Sequence, residues 1–138
     1  MIPERDGWRA LPGAAMPGGL GVPWAKKIDG QWRYGLLTGP GHANPAGVVH
    51  GGVIMAFADH GLSLLAWEAA GRAPCTTIQL NTHFLEAIQP GAFIELRGEV
   101  TRRTRGLVFV RGMIGVRDGD TAADAGAVDG IWRVLRPR

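Results

Sequence analysis

No disulfide can form within this chain, because Cys75 is its only cysteine. A secreted, disulfide-stapled scaffold is thereby excluded, and a reducing compartment fits. A lone free cysteine usually behaves as a small buried hydrophobe, and nothing around Cys75 marks it as a nucleophile. Long apolar runs are lacking too. The longest, residues 53–67, is interrupted by Asp59, His60 and Ser63 and is shorter than the roughly 20 apolar residues of a membrane span. The first nine residues carry both signs of charge and show no signal peptide, so a soluble, cytoplasmic protein is expected. A Gly-x-Ser-x-Gly elbow, a Walker loop and a dinucleotide fingerprint are all missing, which removes the usual anchors for those hydrolase, nucleotide-binding and dehydrogenase readings. His42, His50, His60 and His83 have neither metal-ligand spacing nor cysteine partners, so no metal and no other cofactor is expected.

What is present fits one domain. The chain has 138 residues, 46% of them apolar, and two halves of it would be too small for good cores. Net charge is +3, with a pI near 9.8. The basic residues do not form one block. Arg102, Arg103 and Arg105 make one cluster, and Arg133, Arg136 and Arg138 lie at the C-terminus. Such an excess is a solvated surface or an attraction for anionic ligands. No nucleic-acid-binding motif accompanies it.

Residues 1–30 are rich in Gly and Pro and are expected to form an irregular arm, pinned to the body by Trp8 and Trp24. A strand fits residues 31–38. Residues 39–47, with three glycines and two prolines, form a loop. Residues 50–70 lose proline and gain Met, Ala, Leu and Glu, which predicts one long helix ending at Gly71. Its apolar residues do not keep to one stripe, so it must be buried on most sides, as under a curved sheet. Four strands are expected to follow, at 76–85, 92–103, 107–117 and 123–135, as consecutive antiparallel neighbours with turns between them. The class is α+β.

Several residues are chemically out of place. Asp59 lies mid-helix among apolar neighbours, where a carboxylate is costly unless paired or useful. It faces solvent, pairs with a distant arginine, or serves as a base or nucleophile. His50-Gly51-Gly52 opens the helix, where unpaired N–H groups and the helix dipole can stabilise a developing oxyanion. A plain turn is the alternative. Asn44 precedes them in the loop and is by spacing a turn former. Thr77 shares a strand face with Gln79 and Asn81 by alternation, opposite Ile78, Leu80 and Phe84.

The stretch Asn44-Pro45-Ala46-Gly47-Val48-Val49-His50-Gly51-Gly52, followed by Ala56-Phe57-Ala58-Asp59, resembles the signature of hotdog-fold thioesterases of the phenylacetic-acid-pathway (PaaI) type. Asn stands six residues before His, and Asp nine after it. Gln79-Leu80-Asn81, Phe84-Leu85, Pro90-Gly91 and the strand around 107–110 are similar to later parts of that family. The likeness spans about residues 30–135. It implies a hotdog fold, in which an antiparallel sheet wraps one central helix, and an acyl-CoA substrate. It also implies a homodimer with shared active sites, further paired as a dimer of dimers. In these terms the Gly51 N–H would polarise the thioester carbonyl, with Gly52 beside it at the substrate. Asn44 would place the thioester or the water, and His50 would orient groups at the helix start. Asp59 of the other subunit would activate water or attack directly. Thr77 matches a position where relatives hold the water with serine. Arg103 and Arg105 would meet CoA phosphates, whose geometry suits arginine.

Three other functions compete. Hydratases of this fold carry Asp followed by His five residues later, and no such pair occurs here. A non-catalytic acyl-CoA-binding protein would need no Asp59. A nucleic-acid binder would need one continuous basic face.

Overall fold

Between Pro45 and Pro74 the chain contains no proline. In the computed structural model, which describes residues 1–136, this stretch carries the only α-helix among those residues, α1 (Gly51–Ala69). Gly71 and Arg72 take left-handed conformations (φ 66° and 67°) and turn the chain out of the helix. The Gly71 N–H bonds to Glu68 O and the Arg72 N–H to Trp67 O. Arg103 Nε caps the last turn, 2.9 Å from Ala69 O.

The strands are β1 (Arg9–Ala10), β2 (Trp24–Ile28), β3 (Gln31–Leu37), β4 (Cys75–Phe84), β5 (Phe93–Arg103), β6 (Leu107–Asp118) and β7 (Thr121–Val134). They form one antiparallel sheet in the order β1-β2-β3-β5-β6-β7-β4. The helix lies across one face. Val53, Ile54, Phe57, Ala58, Leu62 and Ala66 are buried with Ile94, Leu96, Val108, Val110, Ile114 and Trp132 from the sheet. Gly61 permits the close approach, because a Cβ there would sit 2.3 Å from Leu96 Cδ2. Removing a buried side chain such as Leu62 from this core costs about 2–5 kcal/mol.

Two expectations change. The four strands after the helix are not consecutive neighbours. β5, β6 and β7 are, but β4 lies beyond β7 at the edge, and β5 pairs with β3. The reason lies in the connections: Arg105-Gly106 and Gly119 make tight hairpins, whereas residues 85–92 form a longer link that lets β5 pair elsewhere. Residues 1–30 are not wholly irregular either, since they contain β1 and β2. The β2–β3 hairpin turns on Asp29 and Gly30, both with positive φ (51° and 76°), the turn that suits the twist of paired strands. The expected covering of α1 holds along most of it, with only Gly52 and Met55 exposed. Its buried stripe faces the sheet, while Met55 stays exposed and Asp59, Ser63, Leu64 and Trp67 half-buried.

Of the two tryptophans expected to pin the arm, Trp8 does so, while Trp24 is a half-buried residue of β2. Trp8 is buried edge-on against Phe93, with ring centroids 4.9 Å apart, on the sheet face away from the helix. Beneath it Glu95 is fully buried and meets Arg33 Nη1 at 3.0 Å and Arg117 Nη1 at 3.4 Å. A buried carboxylate demands such partners.

Candidate functional site at the helix start and the β4 bulge

The first turn of α1 shows which donors are already used. His50 is the N-cap, and its Nδ1 accepts the Gly52 N–H at 2.8 Å. Nδ1 is therefore unprotonated, and the neutral imidazole carries its proton on Nε2. The Val53 and Ile54 N–H groups bond to His50 O at 2.9 and 3.2 Å. Gly51 N–H is left as the one first-turn donor without a partner among the described residues. An unpaired N–H at the positive end of a helix is where a developing oxyanion is stabilised. Gly52, by contrast, is committed to His50.

The preceding loop holds this start in place. Asn44 Oδ1 accepts from the Ala46 and Val48 N–H groups at 3.0 and 3.2 Å. Its carbonyl oxygen thus shapes the loop, and only its amide NH₂ is free for a ligand. His42, which the sequence does not single out for such a role, ties the loop to the arm. Its Nδ1 accepts from Gly39 N–H at 3.1 Å, and its Nε2 lies 2.8 Å from Leu20 O. His50 N–H then bonds to His42 O at 2.8 Å.

Beside Gly51 opens a hollow of about 290 Å³, walled by Val48, Val49, Ile54, Phe84, Leu85 and Ile88. The Phe84 ring covers the Cα of Gly51, 3.4 Å from where a Cβ would stand. Sequence reading missed this role for Phe84, because nothing local links the end of β4 to the helix start.

Asp59 sits two turns further along α1. Thr77 donates its hydroxyl to Asp59 Oδ1 at 2.6 Å. One turn on, Ser63 Oγ accepts the Trp132 indole N–H at 2.8 Å. Thr77 does not share a face with Gln79 and Asn81 as alternation predicts. Thr77 pairs with Trp132 and Gln79 with Ile131, so Ile78 is an extra residue, a β-bulge that shifts the phase. Thr77 therefore turns to the helix, while Gln79 and Asn81 line the opposite face of the sheet.

Gly51 and Asp59 do not meet within one chain. Eight residues at 1.5 Å rise separate them by about 12 Å along the helix axis. Arg103 and Arg105 lie beyond the other end of α1. Arg103 is engaged with the Ala69 and Thr104 carbonyls, whereas the Arg105 guanidinium has no hydrogen bond among the described residues. Arg138 of the C-terminal cluster lies outside the described residues. The Cys75 thiol is pushed up by burial, with Arg103 opposing, and bonds to Ala73 O. That shift runs away from the thiolate a nucleophile needs. A second hollow, about 1040 Å³, lies on the sheet face away from the helix and is lined by none of Gly51, Asp59, Thr77, Arg103 or Arg105. Its size alone does not make it the reactive site. No three His, Cys, Asp or Glu side chains among the described residues gather as metal ligands. No helix among them is long and apolar enough to cross a membrane.

The architecture recurs in solved structures. The phenylacetic acid degradation-related protein of Ralstonia eutropha JMP134 superposes with a TM-score of 0.72 at 23% identity, covering 90% of this chain and 91% of that one. A Bacillus halodurans protein solved with CoA gives 0.71 at 20% identity, over 83% and 74% of the two chains. A hexameric hotdog fold thioesterase of Campylobacter jejuni gives 0.68 at 18% identity, over 74% and 80%. At these identities the likeness establishes the fold, a hotdog with one helix against a seven-stranded antiparallel sheet. A comparison with curated proteins finds no match. The family model of the thioesterase superfamily matches residues 46–123, a span that holds Gly51, Asp59 and Thr77, and the chain belongs to that superfamily.

Proposed function

We propose that this protein hydrolyses the thioester of a small or medium acyl-CoA, aliphatic or aromatic, to the free acid and CoA. The observation that carries the reading is the unpaired Gly51 N–H beside an apolar hollow, in a chain whose mid-helix carboxylate is held by Thr77. The thioester carbonyl oxygen accepts the Gly51 N–H, which stabilises the oxyanion as the tetrahedral intermediate forms. Asp59 takes a proton from a water molecule whose oxygen attacks the carbonyl carbon. The C–S bond then breaks, and the proton passes to the departing thiolate. Thr77 occupies Oδ1 and leaves Oδ2 for the water. The Asn44 amide and His50 Nε2–H are the remaining donors near the helix start. Gly52 holds the His50 ring rather than the substrate. Arg105, with Arg103 behind it, is the proposed contact for the CoA phosphates.

Because about 12 Å separates Gly51 from Asp59 in one chain, the proposed site joins Gly51 of one subunit to Asp59 of another. The outer edge of β4 supports a homodimer. Among the described residues no strand pairs with it, and Ile78, Phe84 and Leu85 on or beside it are each about half exposed. Such edges invite pairing with a second copy about a two-fold axis. Two dimers joining through a further surface complete the proposed assembly.

The test is release of free thiol from a panel of acyl-CoAs by the wild type and Asp59→Asn. Wild-type hydrolysis that Asp59→Asn leaves unchanged refutes the mechanism. Tight binding of CoA esters by the wild type with no turnover refutes the enzyme.

A further inference from the structure

We propose that the hollow beside Gly51 is the acyl subsite, that Phe84 sets the length of acyl group it admits, and that Glu86 disfavours acyl groups ending in a carboxylate. This rests on the reading of Gly51 as the carbonyl-binding donor, since the acyl chain must start where the carbonyl is held.

Phe84 ends β4 opposite Gly126, so no cross-strand side chain packs on it. It is 52% exposed, although its strand neighbour on the same face, Leu80, packs against the core. The ring leans over Gly51, 3.4 Å from where a Cβ there would stand, and forms one wall of the hollow. The wall is also fixed. The Leu85 and Glu86 N–H groups both bond to Ala125 O, at 2.9 and 3.2 Å, and the Val49 N–H bonds to Ile88 O at 2.8 Å. Residues 84–88 are thus anchored at one end to β7 and at the other to the segment entering α1, and the hollow lies between the anchors.

Volume and lining define the ligand. A protein cavity of about 150 Å³ accommodates benzene. At about 290 Å³ the hollow takes a short aliphatic chain or a single aromatic ring, with the Phe84 ring as one of its walls. Its side chains are apolar apart from Glu86, and among the described residues no Lys or Arg lines it. An acyl tail bearing its own carboxylate meets a like charge and no cation there.

The experiment uses the full chain. Acetyl-, butyryl-, hexanoyl-, decanoyl-, benzoyl- and succinyl-CoA are assayed for thiol release with the wild type, Phe84→Ala, Phe84→Leu, Phe84→Trp and Glu86→Gln. Size-exclusion chromatography and a melting curve accompany each variant. The wild type favours butyryl- or benzoyl-CoA over decanoyl-CoA by about tenfold or more in kcat/KM, given about fourfold per methylene that gains or loses burial. Shortening Phe84 moves the optimum to longer chains, and Phe84→Trp moves it to shorter ones. Phe84→Leu keeps the shift measurable if Phe84→Ala fails to fold. Glu86→Gln raises the ratio of succinyl- to butyryl-CoA kcat/KM about fivefold at low salt, less at high salt. A chain-length profile identical in wild type, Phe84→Leu and Phe84→Trp overturns the subsite, and an unchanged succinyl ratio in Glu86→Gln overturns the charge assignment. A wild type that releases thiol from none of these esters overturns the hydrolase reading and this inference with it. A wild type that hydrolyses them with unmoved profiles overturns this inference alone.

Discussion

Thr77 Oγ1 lies 2.6 Å from Asp59 Oδ1, a charge-assisted hydrogen bond between an edge strand and the middle of the helix. It exists because the Ile78 bulge resets the phase of β4. The bond fixes which carboxylate oxygen faces away from the strand. Thr77→Val keeps the shape and removes the donor, so it lowers kcat by about tenfold, one charge-assisted hydrogen bond's worth, with KM little changed. Thr77→Ser keeps the hydroxyl and retains most of the activity. Asp59→Asn lowers kcat by about 10²–10⁴-fold. Steady-state kinetics on one acyl-CoA checks all three. Equal kcat in Thr77→Val and wild type would leave the bond a purely structural one.

The Gly51 N–H can be deleted almost alone. Gly51 is the first helical residue, where proline is well tolerated because its missing N–H has no helical partner. His50 already has ψ 134°, the conformation a residue before proline prefers. Gly51→Pro therefore folds and loses about 10²–10³-fold in kcat, the cost of one oxyanion donor. Gly51→Ala is the control. Its Cβ meets Phe84 at 3.4 Å, ordinary contact, and it keeps the N–H. A kcat equal in the two variants would remove Gly51 from the chemistry.

The legible parts of this protein are those written locally. α1 is visible in a proline-free run ended by Gly71, and the β5, β6 and β7 hairpins in alternating residues broken by Arg105-Gly106 and Asp118-Gly119. His50, Gly51 and Asp59 stand out because a carboxylate and two glycines are odd choices in an apolar helix. The place of β4 was not legible, since a link as long as residues 85–92 permits pairing with β5 or with β7 and nothing local chooses between them. Nor was the Ile78 bulge, which alternation cannot foresee and which reverses the face of Thr77. The β2 strand could have been found, because Asp29-Gly30 is a strong hairpin signal. Phe84 beside Gly51 joins residues distant in sequence and leaves no local trace.

Gly52 reports on the cap rather than the chemistry. A Cβ there would lie 3.0 Å from His50 Nδ1, so the ring must give way. Gly52→Ala and His50→Ala both weaken the N-cap bond, and each cap lost costs about 1 kcal/mol. In a domain of this size that lowers Tm by about 4 °C. Differential scanning calorimetry checks it. A Tm unchanged in both variants would show that the His50 cap contributes nothing to stability.

Tyr34, the only tyrosine, offers a pH-dependent signal. Burial pushes its phenol up to about 12 from 10.0; Glu68 pushes the same way and Arg72 opposes. The folded state thus holds the neutral phenol, while the unfolded chain ionises from pH 10. The contribution is fully present below pH 10 and is lost as pH rises from 10 toward 12. Absorbance titration of the phenolate should give a native midpoint near 12, returning to about 10 in denaturant, with urea stability falling over the same window. A native midpoint at 10 would contradict the burial of Tyr34.

Two inactive variants test the shared site directly. Gly51→Pro and Asp59→Asn each remove one half of it, and the halves are about 12 Å apart along the helix of a single chain. If each site takes Gly51 from one subunit and Asp59 from another, a mixed dimer of the two variants contains one doubly damaged site and one intact site. Equal mixing followed by dissociation and reassociation yields about half mixed dimers, so about a quarter of all sites become wild type. Activity should then rise from the residual level of either variant to about a quarter of the wild-type value. It should not rise when the two proteins are mixed without subunit exchange. If both residues served one site within a chain, every site would keep a lesion and reassociation would restore nothing. Recovery after exchange, and only then, is the result that a composite site requires.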